Sequence, residues 1–129
     1  MPREILHPKG LFDPRPRYSQ LCRFGKVVYP AGQLARDAQG NLVGKGDILA
    51  QTREVFENLK KCLETVGASF DNVVKINVYL TDIDNQLAAV AKVRREYFTS
   101  EPVPSTTVEV SRLADPDALV EIEAVAVLE

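Results

Sequence analysis

Residues 103–127 have the sequence VPSTTVEVSRLADPDALVEIEAVAV, and their alternation of apolar and polar side chains decides the predicted fold. Successive side chains of a β-strand point to opposite faces of its sheet. Near the end of the chain every second residue is apolar, namely Val120, Ile122, Ala124, Ala126 and Leu128. This pattern predicts a strand that buries one side, while Glu121 and Glu123 point away from the core.

A second strand is predicted immediately upstream. One of its sides holds Thr106, Val108 and Val110, and the other holds Ser105, Thr107 and Glu109. If this strand pairs with the strand that contains Glu121, the side chains of Ser105, Thr107 and Glu121 can share one pocket.

Four further elements are predicted upstream: a strand over 23–31, a helix from Asp47 to Gly67, a strand over 73–80 and a helix from about 84 to 99. Aspartate is a preferred residue at a helix N-terminus, and glycine commonly ends a helix. The second helix is expected to bury Leu87, Val90, Ala91, Tyr97 and Phe98. Because each helix has a single apolar stripe, both should cover one face of a mixed sheet, which gives an α+β fold.

The opposite face of this sheet is also more apolar than a free surface prefers. Alternation over 73–80 assigns Val74, Ile76, Val78 and Leu80 to the helix-covered side. The other side would expose Val73 and Tyr79, together with Val125 and Val127 of the last strand. We therefore expect this face to pack against other copies of the chain.

The composition indicates a single domain over 1–129, in which 1–15 form an irregular, proline-containing segment. Hydrophobic residues make up 45% of the chain and the net charge is -2, so the broad positive surface that binds nucleic acid is not expected. The sequence has no run of apolar residues that is long enough to span a membrane, and we expect a cytoplasmic protein.

Cysteine and histidine supply no recognisable reactive or metal-binding motif. Cys22 and Cys62 are far apart in the sequence, and Cys62 falls on an apolar helix face where a buried thiol is expected. His7 is the only histidine, and it lies in the irregular segment. Neither a catalytic triad, nor a metal site, nor a phosphate- or dinucleotide-binding motif is predicted.

Several motifs together resemble the reactive intermediate deaminase family, the RidA/YjgF proteins. They are RYSQ at 17–20, AGQL at 31–34, QTREVFENLK at 51–60, VGASFDNVVKINVYLTD at 66–82, and the C-terminal stretch quoted above. The resemblance implies the chorismate-mutase-like α+β fold, a homotrimer with pockets between subunits, and activity on a small imine or enamine without a cofactor.

The resemblance also assigns roles to individual residues. Glu121 matches the glutamate that orients water or exchanges a proton, and Tyr18 and Ser19 match the pocket-lining segment. Gly32 and Thr107 match positions whose backbone lines the pocket. These residues, with Ser105, are the candidate site.

Ser105 departs from the pattern, because family members that hydrolyse 2-imino acids carry an arginine there to bind the substrate carboxylate. Ala91 likewise stands where asparagine is common. Loss of the charged pair predicts poor turnover of 2-iminopropanoate. Arg17, which occupies a proline position of the family, could replace the missing cation, or it could be a solvated loop residue.

Three functions remain open from the sequence. The first is hydrolysis of a small imine, enamine or related nitrogenous metabolite to a carbonyl compound and ammonia. The second is binding of such a metabolite without chemistry. The third is RNA cleavage, an activity attributed to some family members, for which an acidic chain with one histidine offers little physical support.

Overall fold

The computed structural model describes residues 2–129, which form one six-stranded sheet and two α-helices. The strands are β1 (Glu4–Leu6), β2 (Leu21–Phe24), β3 (Val27–Pro30), β4 (Val73–Leu80), β5 (Ser105–Glu109) and β6 (Val120–Val127). The helices are α1 (Ile48–Thr65) and α2 (Ile83–Tyr97), and a short 3-10 helix spans Phe70–Asn72. The order in the sheet is β1-β2-β3-β6-β4-β5, which confirms the predicted α+β class.

The condition for a pocket shared within one chain, that β5 pairs with β6, is not met, because β4 lies between them. β4 pairs parallel with β5 and antiparallel with β6. A strand, a crossover helix and a parallel strand form a compact unit, so α2 returns the chain to the free edge of β4. The register aligns Ser105 with Ile76 and Ala124, and it aligns Val108 with Tyr79 and Glu121.

The N-terminal third contains more strand than the sequence pattern indicates. The predicted strand over 23–31 is a hairpin, in which β2 and β3 are joined at Gly25 with a φ of 60°. Glycine adopts this conformation without a steric penalty. β1 lies within the segment expected to be irregular and pairs with β2, because the edge of the hairpin offers free backbone groups.

The predicted first helix is confirmed at both ends. The side chain of Asp47 accepts a hydrogen bond from the Ala50 N–H at 3.1 Å, and Gly67 follows the helix with a φ of 71°. The apolar face of α1 is buried against the sheet through Val55, Phe56, Leu59, Cys62 and Leu63.

The second helix is rotated from the predicted orientation at its start. Leu87 is 43% exposed, which contradicts its expected burial, while Gln86 is buried. The side-chain amide of Gln86 accepts from the Asp82 N–H at 2.9 Å and donates to the Thr81 hydroxyl at 3.0 Å. These bonds turn Gln86 inward at the helix start, and Leu87 consequently faces outward.

A β-bulge reverses the expected orientation of the first residues of β4. Val73 pairs with Ala126 and Lys75 pairs with Val125, so Val74 is the extra residue. Val73 is 5% exposed and Val74 is 46% exposed, the opposite of the prediction from strict alternation.

The two faces of the sheet therefore differ. Both helices cover one face, where Ile76, Val78, Ile122 and Ala124 are buried. The other face, called the open face here, exposes large apolar side chains of Phe24, Tyr29, Val108 and Val127. Across residues 2–129 neither helix combines the length and apolar character needed to cross a bilayer.

Candidate functional site

Glu121 is on the open face of β6, beside Tyr79 of β4. Its side chain is half-buried, and burial raises the pKa of the Glu121 carboxyl, with a further increase from the negative charge of Glu123. A carboxyl group whose pKa is raised binds its proton more tightly than a free carboxyl group does. This is the property that the proposed proton-exchange role requires.

Gly32 makes room for this carboxyl group. A Cβ atom at position 32 would lie 2.5 Å from Oε2 of Glu121 and 3.1 Å from its Cδ. Real side chains do not approach so closely, so any larger residue at position 32 would displace Glu121. The glycine of the AGQL motif is therefore explained by contact with the candidate catalytic side chain.

Backbone hydrogen bonds hold the Gly32 segment against β6. The Gln33 N–H donates to the Ile122 carbonyl at 2.9 Å, and the Ile122 N–H donates to the Gln33 carbonyl at 3.2 Å. Since these bonds flank Glu121, they fix the position of the loop relative to the carboxyl group.

Buried amide side chains support the same loop from behind. Gln33 donates through Nε2 to Gln20 Oε1 at 2.9 Å, and Gln20 donates to the Phe12 carbonyl at 2.9 Å. Asn58 of α1 donates to the carbonyls of Leu34 and Arg36 at 3.1 and 2.9 Å. The sequence analysis did not identify these residues as supports of the site. The glutamines of RYSQ and AGQL could have indicated Gln20 and Gln33.

A cleft of about 310 Å³ lies beside Glu121. Its lining residues are Arg17, Tyr18, Ala31, Gly32, Leu34, Arg36, Ala114 and Glu121. Four of the predicted residues, Arg17, Tyr18, Gly32 and Glu121, thus come together within one chain. Arg36 and Ala114 were not predicted. The Arg36 guanidinium group lies over the Phe12 ring, 5.7 Å from its centroid, and its Nη1 donates to the Gly40 carbonyl at 3.5 Å.

Ser105 and Thr107 of the same chain do not line the Glu121 cleft. The register places both on the helix-covered side of β5, whereas Glu121 is on the open face. Ser105 lines a separate cavity of about 270 Å³ between α2 and β5. One chain therefore does not form the expected shared pocket, because β4 separates the two strands and the side-chain parity differs. Ser19 is half-buried next to Tyr18.

A second carboxyl group on the open face is engaged by its neighbours. Glu123 Oε1 accepts a hydrogen bond from the Tyr79 hydroxyl at 2.7 Å and from the Asn77 amide at 3.0 Å. The bond to Glu123 raises the pKa of Tyr79. Glu121 is therefore the carboxyl group that faces the cleft, and Glu123 is a fixed acceptor within the sheet.

The remaining reactive side chains are placed away from the cleft. His7 is exposed, with Nε2 at 3.3 Å from Nη1 of Arg15. Cys62 is buried, and burial raises the pKa of its thiol to about 12. Within residues 2–129, histidine, cysteine and carboxylate side chains form no group of three that would hold a metal ion.

Known proteins share both sequence and fold with this chain. The family model described as endoribonuclease L-PSP matches residues 10–128. A RutC family protein of Pyrococcus abyssi is 40% identical over 126 residues, and 3-aminoacrylate deaminase RutC of Acinetobacter baylyi is 36% identical over 126 residues. Each match covers 98% of this chain and 98% of the relative. A Rid-family protein of unknown function from Yersinia pestis, 33% identical, has a TM-score of 0.91 and covers 98% of this chain and 100% of its own.

Proposed function

This chain belongs to the RidA/YjgF family, and we propose that it hydrolyses a small enamine or imine to a carbonyl compound and ammonia. The observation that carries the proposal is the half-buried Glu121 carboxyl group against Gly32 in a cleft that also contains Arg17 and Arg36. The name of the Acinetobacter relative, 3-aminoacrylate deaminase, supports an enamine as the substrate class.

Glu121 can serve each proton transfer of this reaction. Protonated Glu121 gives its proton to the enamine carbon, and the substrate becomes an iminium ion. Water then forms a bond to the iminium carbon, and the Glu121 carboxylate takes the proton that the water releases. A further proton from Glu121 to nitrogen lets the C–N bond break, ammonia leaves with the bonding pair, and the hydroxyl group becomes a carbonyl as its proton returns to Glu121. A neutral imine first takes a proton from Glu121 at its nitrogen, which gives the iminium ion, and it then follows the same steps.

The surrounding residues supply binding and charge. The Tyr18 side chain, 46% exposed, forms one wall, and the backbone at Gly32 allows the reacting atoms to approach the carboxyl group. Arg17 and Arg36 contribute positive charge at the lining of the cleft, and this charge attracts an anionic substrate. In this proposal no cofactor is required, because every step is a proton transfer or an addition of water.

We further propose that the functional unit is a homotrimer with its site between subunits. The open face exposes Phe24, Tyr29, Val108 and Val127, and burial of such a face is favourable. Ser105 and Thr107 are directed away from Glu121 of their own chain, so they can complete the site only for a neighbouring copy.

Ser105 sets the expected substrate preference. A serine hydroxyl carries no charge, so a 2-imino acid loses the charge-assisted pair that an arginine at this position would offer. We therefore propose that 2-iminopropanoate is a poor substrate and that a different enamine or imine is preferred.

The test is ammonia release from a panel of enzymatically generated enamines and imines, including 3-aminoacrylate and 2-iminopropanoate. Glu121→Gln should lose at least about 100-fold in rate, which is typical for removal of a general acid-base group. Glu123→Gln is the matched control, because it removes a charge two residues away on the same face and keeps an oxygen acceptor for Tyr79.

Two outcomes would redirect the proposal. Saturable binding by the parent protein with no release of ammonia would favour a metabolite-binding protein without chemistry, a possibility that the uncharged Ser105 also supports. A Ser105→Arg variant that alone gains activity on 2-iminopropanoate would support the preference proposed above, whereas a parent that is equally active would contradict it.

A further inference from the structure

The cavity between the C-terminal end of α2 and the start of β5 has the character of an anion site. It has a volume of about 270 Å³ and is lined by Arg94, Arg95, Phe98, Pro102, Val103 and Ser105. We propose that this cavity binds a small carboxylate with a short apolar substituent and that Arg94 is the anchoring cation. Resting on the proposed function, the carboxylate is that of the enamine or imine substrate.

Arg94 has a defined position but no charged partner. Its Nη1 donates to the Ser105 hydroxyl oxygen at 3.3 Å. Among residues 2–129, ion pairs within 4.0 Å involve Arg15, Arg23, Lys45 and Arg53, and neither Arg94 nor Arg95 has a carboxylate at that distance. A guanidinium group that is held by a neutral hydroxyl keeps most of its N–H donors available for a ligand.

The donors and walls of the cavity suit a carboxylate. The planar guanidinium group offers parallel N–H donors that match the two oxygens of a carboxylate. Because the Ser105 oxygen accepts from Arg94, the hydroxyl proton of Ser105 is free to donate to the same ligand. Phe98, Pro102 and Val103 line the same cavity and offer apolar contacts to a ligand that has an apolar part.

The C-terminal end of α2 lies beside the cavity, but it does not cancel the positive charge of the cavity. The C-terminus of a helix carries a partial negative charge of about half an elementary charge. Arg94 and Arg95 both line the cavity and carry one full positive charge each, which together exceed this partial charge.

This arrangement explains how the carboxylate of a substrate can be bound although residue 105 is uncharged. The cation comes from α2 instead of from β5, and the small Ser105 side chain leaves space in front of it. Since Ser105 faces away from Glu121 of its own chain, the cavity can serve only the Glu121 cleft of a neighbouring copy. In this proposal the carboxylate lies farther from β5 than one bound by an arginine at position 105. The imine group of a 2-imino acid, attached next to its carboxylate, is then displaced from Glu121, so 2-iminopropanoate binds through its carboxylate but remains a poor substrate.

The first experiment is a titration of the full-length, ¹⁵N-labelled protein with propanoate, followed by amide chemical shifts. Propanamide, which has the same shape without the charge, and inorganic phosphate are the comparison ligands. Saturable shifts at Arg94, Val103 and Ser105 with propanoate alone are the expected result. Equal binding of propanamide, tighter binding of phosphate, or shifts confined to the Arg17 and Arg36 region would overturn the proposal.

Substitutions then test the anchor itself. Arg94→Gln should weaken propanoate binding at least tenfold while it keeps an N–H donor for Ser105, and Arg94→Lys should recover part of the loss. Arg3→Gln is the matched control, because Arg3 is an exposed arginine that lines neither this cavity nor the Glu121 cleft, and it should leave propanoate binding unchanged. Unchanged binding in folded Arg94→Gln, as judged by circular dichroism, would contradict the assignment.

Activity measurements separate this inference from the proposed function. With a carboxylate-bearing enamine, Arg94→Gln should raise KM at least tenfold and change kcat by less than threefold, because Arg94 binds the substrate without taking part in proton transfer. If the parent releases no ammonia but Arg94→Gln still loses propanoate binding, the proposed function fails and the carboxylate site stands. If ammonia release is normal in every respect in Arg94→Gln, the carboxylate site fails and the function stands.

Discussion

Gly32 and Glu121 are the two residues on which the candidate site depends. The glycine has no side chain to keep the Glu121 carboxyl group away, and the backbone bonds between Gln33 and Ile122 hold the two segments together. Partial burial then favours the protonated form of Glu121 over the ionised form. The position of the Glu121 carboxyl group and its raised pKa therefore both follow from its packing against the Gly32 segment.

Gly32→Ala should remove activity and leave the fold intact. The added methyl group would lie 2.5 Å from Oε2 of Glu121 and must push the carboxyl group out of the cleft. Gly32 is not among the glycines with positive φ, so alanine brings no backbone strain. We expect a loss of about 100-fold in ammonia release with a melting temperature within a few degrees of the parent. Full activity would show that the carboxyl group at this position is dispensable.

The pH dependence of stability should reveal the burial of Glu121. The folded-state pKa of this group is raised above its ordinary value of 4.5, so the folded protein binds the proton more tightly than the unfolded chain does. The resulting stabilisation is complete below the unfolded pKa and is lost as the pH rises through the folded pKa. Glu121→Gln, which stays neutral, should therefore gain melting temperature relative to the parent at pH 7 but not at pH 4. An equal difference at both pH values would contradict a raised pKa.

At the scale of elements, α1 supports the site from behind the sheet. Asn58 of α1 binds the carbonyls of Leu34 and Arg36, which belong to the loop that carries Gly32. Its Oδ1 atom has no partner among the described residues and is buried at a cavity of about 20 Å³, a size that accommodates one ordered water. The helix thus fixes the loop through hydrogen bonds, in addition to its apolar contacts with the sheet.

Asn58→Ala should destabilise the protein by about 1 to 3 kcal/mol, because the Arg36 carbonyl loses the Asn58 donor, while the Leu34 carbonyl keeps the Arg36 N–H. The free energy of unfolding in urea measures this effect. Asn41→Ala, an exposed asparagine of the following loop turn, is the control and should change stability by less than about 0.5 kcal/mol. A cost for Asn58→Ala as small as that of the control would mean that water replaces the lost amide without penalty.

At the scale of the whole molecule, one sheet face is covered by helices and the other is open. Val108 is 41% exposed and aligns with Tyr79 and Glu121 across the open face. A face with this composition favours association with further copies. In the trimer proposed above, a neighbouring copy would supply Ser105 to the Glu121 cleft.

Val108→Asp should convert the proposed trimer into monomers and reduce ammonia release at the same time, because it places a charge on the associating face. Leu87→Asp is the matched control, since Leu87 is 43% exposed but lies on α2. Sedimentation velocity measures the assembly. A parent protein that sediments as a monomer, or a Val108→Asp variant that remains assembled, would refute the role given to this face.

The amino-acid sequence was sufficient to predict the order and approximate ends of the helices, the burial of alternate residues in β6, and the grouping of Tyr18, Gly32 and Glu121. These features can be recognised in the sequence, because local periodicity, the Asp47 cap and the family motifs each involve residues that are close together in the chain. Strand pairing depends on contacts between residues that are far apart in the sequence. The position of β4 between β5 and β6 was therefore visible only in the tertiary structure. The same is true of the bulge at Val74, the inward turn of Gln86 and the approach of Arg94 to Ser105, because each is settled by hydrogen bonds to another element.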